Sequence, residues 1–174
     1  MNNLRLNLTP ELFFDDNISL DKYLFEGEAV YKPVKVLALG ATYRFVGNVQ
    51  DNQDTEYLNR IAFSATVKND FNRFEPLFRL RYSNYADDEI TDKEFIRYKT
   101  SLKYDIANCK ITPFVGIEAF QQLSDNELYK IRYALGFKYK MFKNNYIGCN
   151  YNLDYYLQEL RNKHIFSLTY KIRL

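Results

Sequence analysis

Charged side chains recur at every second position along this chain, and they are its main candidates for chemistry. Glu26 and Glu28, Arg79 and Arg81, Arg97, Lys99 and Lys103, and Lys138 after Arg132 all keep an even spacing. Residues two apart in an extended strand share one face. On adjacent strands such a face lets arginine forks meet carboxylates in two-pronged ion pairs. The candidate network is Glu26, Glu28, Arg44, Arg60, Arg79, Arg81, Arg97, Glu118, Arg132, Asp154 and Arg173, with Arg5, Glu11, Lys99, Lys103, Asp105, Lys138 and Lys171 in the same register. Glu26, Glu28 and Glu118 are expected to bridge to arginines of neighbouring strands. One consequence is a network that fills and stiffens an interior. Another is a narrow, anion-preferring path lined by the excess of bases, and a substrate site is a third.

Other chemistry-bearing residues are sparse. His164 is the one histidine. It begins the last strand near a rim, and catalysis there needs Ser, Asp or Glu beside it. Ser167 has the opposite parity, so His164 reads as an interfacial polar residue, with a rim catalyst as the alternative. Asp15-Asp16 and Asp87-Asp88-Glu89 could offer oxygen ligands to divalent cations. They lack the Gly-punctuated spacing of a dedicated calcium loop and read as solvated loop charge. Cys109 falls in a turn and Cys149 on a strand that is not its neighbour, too far to bridge, so both are expected to be free. No phosphate loop, nucleophile elbow or His/Cys metal cluster occurs, and no cofactor or metal is expected. The formal charge is +2, with bases interleaved among acids and no basic arm, which argues against nucleic acid as a partner.

The elements that must position the charges are long strands. From Tyr129 to Met141 every odd residue is large and apolar or aromatic, and the even ones are charged or tiny. Such alternation over thirteen residues exceeds the about 5–6 of a soluble strand and matches the about 9–11 of a membrane-spanning one. The pattern repeats ten times, near 3–14, 22–32, 34–46, 56–69, 74–86, 93–107, 110–122, 127–142, 145–158 and 163–174. Tight turns at Lys32-Pro33-Val34, 69–72, 107–109 and 143–145 alternate with mostly longer, acidic connections. Outer-membrane barrels have short periplasmic turns and longer outer loops, which predicts both termini in the periplasm. Pro10 falls inside the first strand, where a bulge would accommodate it.

Alternation alone leaves open which face is inside. The charged face also carries the small residues Gly40, Ala62, Ser64, Thr66, Ser101, Ala134, Gly136, Gly148, Ser167 and Thr169, as a crowded interior requires. Lysine or arginine facing lipid costs roughly 2–4 kcal/mol at the midplane, so Lys130, Arg132, Lys138 and Lys140 belong in the lumen. Sixteen tyrosines suit interfacial girdles. Met1-Asn2-Asn3-Leu4-Arg5 enters the strand pattern with no apolar leader. This reads as a mature chain from which a signal peptide has been removed.

The second half carries a resemblance. Pro113 to Phe120, Ile131 to Phe137 and the closing strand His164 to Leu174 resemble a family of small outer-membrane barrels of unknown function common in Bacteroidota. The last residue is Leu rather than the more usual Phe. The resemblance implies a barrel in a bacterial outer membrane and no assigned catalytic residues. The expectation is therefore an all-β, ten-stranded antiparallel transmembrane barrel in one domain, in contact with outer-membrane lipid. Its expected role is that of a non-enzymatic structural or accessory subunit among other outer-membrane proteins. A narrow pore for small solutes and a lipid- or peptide-modifying rim enzyme are the alternatives.

Overall fold

Ten strands follow one another along the chain in a computed structural model that describes residues 3–14, 20–49, 55–85, 93–142, 145–157 and 162–173. They are β1 (Leu4–Phe14), β2 (Leu20–Val34), β3 (Leu37–Asn48), β4 (Glu56–Lys68), β5 (Phe74–Ser83), β6 (Phe95–Tyr104), β7 (Ile111–Gln122), β8 (Leu128–Lys140), β9 (Asn145–Tyr156) and β10 (Lys163–Arg173). Each pairs antiparallel with its sequence neighbour, and β1 pairs with β10 to close a barrel. The expected fold class and strand count hold. Asn72, Asn108 and Asn126 take positive φ of 53°, 57° and 56° in the connections, a region asparagine tolerates better than most residues.

Three expectations shift. The first tight turn is Lys35-Val36, because β2 runs on through Pro33 with a register irregularity between Tyr31 and Val34. Pro10 pairs with Phe25 in unbroken register, and the β1–β2 irregularity lies at Phe13/Phe14 instead. Tyr129 does not keep the parity of its strand. Phe120 pairs with Lys130 while Gln121 pairs with Leu128. The extra residue of this bulge turns Tyr129 and Lys130 both inward, where they are buried. The acidic segments 15–16 and 87–89 lie outside the described residues, as do Leu174 and the side chain of Arg173.

The apolar face is outside. Phe25, Phe63, Leu135, Phe166 and Leu168 are all more than half exposed, while Arg97, Glu118 and Asp154 are buried. Charges inside and a continuous apolar wall outside invert the arrangement of a soluble barrel. Aromatic residues gather toward both ends of that wall. Toward the loops, Phe45 stacks on Tyr57 and Tyr151 packs on Phe166. There too, tyrosine hydroxyls donate to Asn59 from Tyr43, to Glu94 from Tyr82 and to Gln121 from Tyr98. Toward the turns, Phe74 packs on Tyr104, and Tyr31, Tyr139 and Tyr170 are exposed. Rings with one apolar side and one satisfied polar tip suit the two edges of a bilayer.

Candidate functional site in the barrel lumen

Register alone builds most of the lumen. Arg79, Lys99, Glu118, Arg132 and Asp154 stand directly opposite one another on β5, β6, β7, β8 and β9. Opposite residues on one face of adjacent strands are close enough to interact. Glu118 accepts from Arg97 Nε at 2.9 Å and Arg79 Nη2 at 3.1 Å, with Lys99 Nζ 3.6 Å away. Asp154 accepts from Arg132 Nε at 2.5 Å and Nη2 at 2.7 Å, a two-pronged pair, and from Lys130 Nζ at 2.7 Å. Glu26 holds Arg44 at 2.7 Å, with Arg81 at 4.0 Å.

Not every expected partner is an arginine. Glu28 faces Lys171 Nζ at 3.4 Å and accepts from Asn7 Nδ2 at 2.8 Å. Arg60 turns toward the loops and donates to the Asn84 carbonyl at 3.3 Å. Asp105 lies beyond the end of β6 and is exposed, so it leaves the lumen set. Toward the turns, Glu75 bridges Lys68 at 2.8 Å and also pairs with Lys103. Glu75 and Lys68 were missed, although both share parity with their lumen-facing strand neighbours.

The aromatic end of the lumen was also missed. Phe95, Phe120, Tyr129 and Tyr156 form a buried cluster at the loop end. Phe95 and Tyr129 lie 5.3 Å apart, and Tyr129 and Tyr156 5.6 Å. The ring of Phe120 is approached by Arg97 at 4.4 Å, Lys130 at 4.8 Å and Arg132 at 5.3 Å. A ring face attracts cations, more strongly where water is scarce. Arg81 donates to Tyr85 Oη at 2.5 Å, and the Tyr85 ring also lies 4.8 Å from Arg44. Parity could have found three of these rings, since Phe95, Phe120 and Tyr156 each stand two residues from Arg97, Glu118 and Asp154.

Between these groups lie two chambers, one lined toward the loop ends of the strands and one toward the turn ends. The loop-side chamber is about 250 Å³ and is lined by six bases (Arg44, Arg79, Arg81, Arg97, Lys99, Arg132) against Glu11, Glu26 and Glu118. The turn-side chamber is about 330 Å³ and is lined by Arg79, Lys99, Lys103 and Lys138 against Glu28. Arg79, Lys99, Phe114 and Asn150 line both and form the waist between them.

His164 is exposed on the outward face, and its Nδ1 lies 2.7 Å from Tyr151 Oη. Ser167 lines the loop-side chamber instead, so the two do not meet. Both cysteines are free and exposed. Among the described residues no group of three or more His, Cys, Asp or Glu could hold a metal ion.

Residues 3–163 match the family described as proteins of unknown function, DUF2490, and the chain belongs to that family. The β domain of the Bordetella autotransporter BrkA covers 98% of this chain and 97% of its own, with a TM-score of 0.50 and 10% identity. The KdgM porin covers 97% and 96%, with a TM-score of 0.47 and 12% identity. At these identities the likeness is one of fold. A protein of Vibrio atlanticus (strain LGP32) named nucleoid-associated protein is 31% identical over 111 residues, 59% of this chain. The match spans about a third of that protein's length, 32%.

Proposed function

We propose that this DUF2490 barrel resides in a bacterial outer membrane and carries a narrow lumen for small anionic solutes. The membrane reading is supported by the outward apolar wall with aromatic residues toward both edges. It is also supported by strands of 10 to 15 residues, long enough to cross at a tilt. The anion reading rests on one observation: both chambers are lined by more bases than acids. Field lines in a low-dielectric channel of one sign raise the local concentration of the opposite ion.

Planar-bilayer recording tests it. A small conductance whose reversal potential in a salt gradient favours anions is the expected result. No conductance, or a cation preference, overturns it.

A structural or accessory role within a larger outer-membrane assembly is the second reading, favoured by the breadth of the aromatic outer wall. Stoichiometric co-purification of other proteins in mild detergent would support it, and a lone barrel would count against it. For the rim-enzyme alternative, His164 has Tyr151 Oη beside it at 2.7 Å and not the Ser, Asp or Glu that a hydrolytic triad uses.

A further inference from the structure

Four bases stand together on one patch of the lumen wall. Arg79 and Arg81 on β5 lie directly across from Lys99 and Arg97 on β6. Like charges set opposite one another on a sheet repel. Glu118 is shared among three of them, at 2.9 Å from Arg97, 3.1 Å from Arg79 and 3.6 Å from Lys99. Arg81 lies 4.0 Å from Glu26, which Arg44 already holds at 2.7 Å. Among the described residues, Glu118 and Glu26 are thus shared among these four bases and Arg44.

Two N–H groups of this block are short of acceptors. Among the described residues, Nε of Arg79 and Nε of Arg81 are buried without a hydrogen-bond partner, and the Arg81 side chain is only 8% exposed. Asn150, reaching in from β9, has an unpartnered buried Oδ1 and lines the same chamber of about 250 Å³. Buried donors left unmade are costly, and guanidinium groups present paired donors that fit an oxyanion. A polar cavity of this size holds a compact anion with several waters.

We propose that this block is a binding site for an oxyanion of the phosphate class. Arg79 and Arg81 supply directed N–H donors, Lys99 supplies a point charge, and the Asn150 amide turns to donate its NH₂. The proposal rests on the anion-path reading and deepens it by naming the group the path holds.

Inorganic phosphate is titrated calorimetrically into the folded full chain in uncharged detergent, at an ionic strength held constant with chloride. Saturable binding is expected, weakened at least tenfold in the double variant Arg81→Gln, Lys99→Gln. A second readout separates binding from scaffolding. Without phosphate, the double variant should unfold at a denaturant concentration close to the parent's, because relief of the repulsion offsets the Arg81 bond to Tyr85 and the Lys99 approach to Glu118 that are lost. Absence of saturable binding by the parent, unchanged binding by the variant, or a variant destabilised without phosphate each overturns the site. Bilayer recording keeps the two readings apart. Anion current with no phosphate binding removes the site and leaves the path, whereas binding without current removes the path and leaves the site.

Discussion

At the loop end of the lumen, Lys130 and Asp154 meet at 2.7 Å with neither side chain exposed, and Arg132 closes a two-pronged pair on the same carboxylate. At the turn end, Lys68 and Lys103 share Glu75, and all three side chains remain about a quarter exposed. The first cluster is walled by Phe95, Phe120, Tyr129 and Tyr156. The second opens on a chamber of about 330 Å³ that Lys103 helps to line. The same pairing chemistry thus serves two ends. Where water is excluded, a charge cannot lose its partner without a large penalty. Where water enters, the partner is replaceable. The loop end holds its charges away from water, and the turn end holds them within its reach.

That contrast can be broken most sharply at Asp154. Replacement by Asn leaves Lys130 and Arg132 sharing no carboxylate, and should cost about 3–5 kcal/mol in denaturant unfolding of the detergent-solubilised barrel. A loss below about 1 kcal/mol would mean that the loop end is as wet as the turn end. Phe120→Ala should cost about 3 kcal/mol, since it removes a buried ring and the surface on which Arg97 and Lys130 rest. On the outer wall, Leu135→Arg should reduce stability in bilayers by roughly 2–4 kcal/mol if that face meets lipid near the midplane. The same change in a water-exposed surface would be nearly silent. Glu75→Gln sharpens the comparison from its weak side, with an expected loss under about 1 kcal/mol.

Much of this was legible from period-two alternation. Strand count and the two faces follow from side-chain parity, because one residue of slip would turn arginines such as Arg97 and Arg132 onto the apolar outer wall. The rule stops where the backbone breaks it. The bulge at Tyr129 and Lys130 puts consecutive residues on one face, and no alternation pattern encodes that. Of the inward aromatic cluster only Tyr129 lies on the apolar side of the alternation, and Phe95, Phe120 and Tyr156 share the parity of Arg97, Glu118 and Asp154, where a ring among charges carries no signal of its own. Pairing specificity was only half legible. Register sets Glu118 opposite both Lys99 and Arg132, but the reach of Lys171 across the closure to Glu28 depends on how β10 meets β1 and β2.

That closure has a consequence for how the sheet is finished. Asn7 pairs with Arg173, Leu8 with Ile172 and Glu11 with Thr169. Pro10, with no N–H to give, sits inside that short ladder. A cylinder whose last seam lacks a rung should zip shut there late and breathe there first. Amide exchange along β1 and β10 should therefore outpace that along β7 and β8, whose pairing runs from Ile111↔Tyr139 to Gln121↔Leu128. Proline at this point acts as a hem stitch left loose, fixing where the wall opens first, at the seam that Lys171 crosses to reach Glu28.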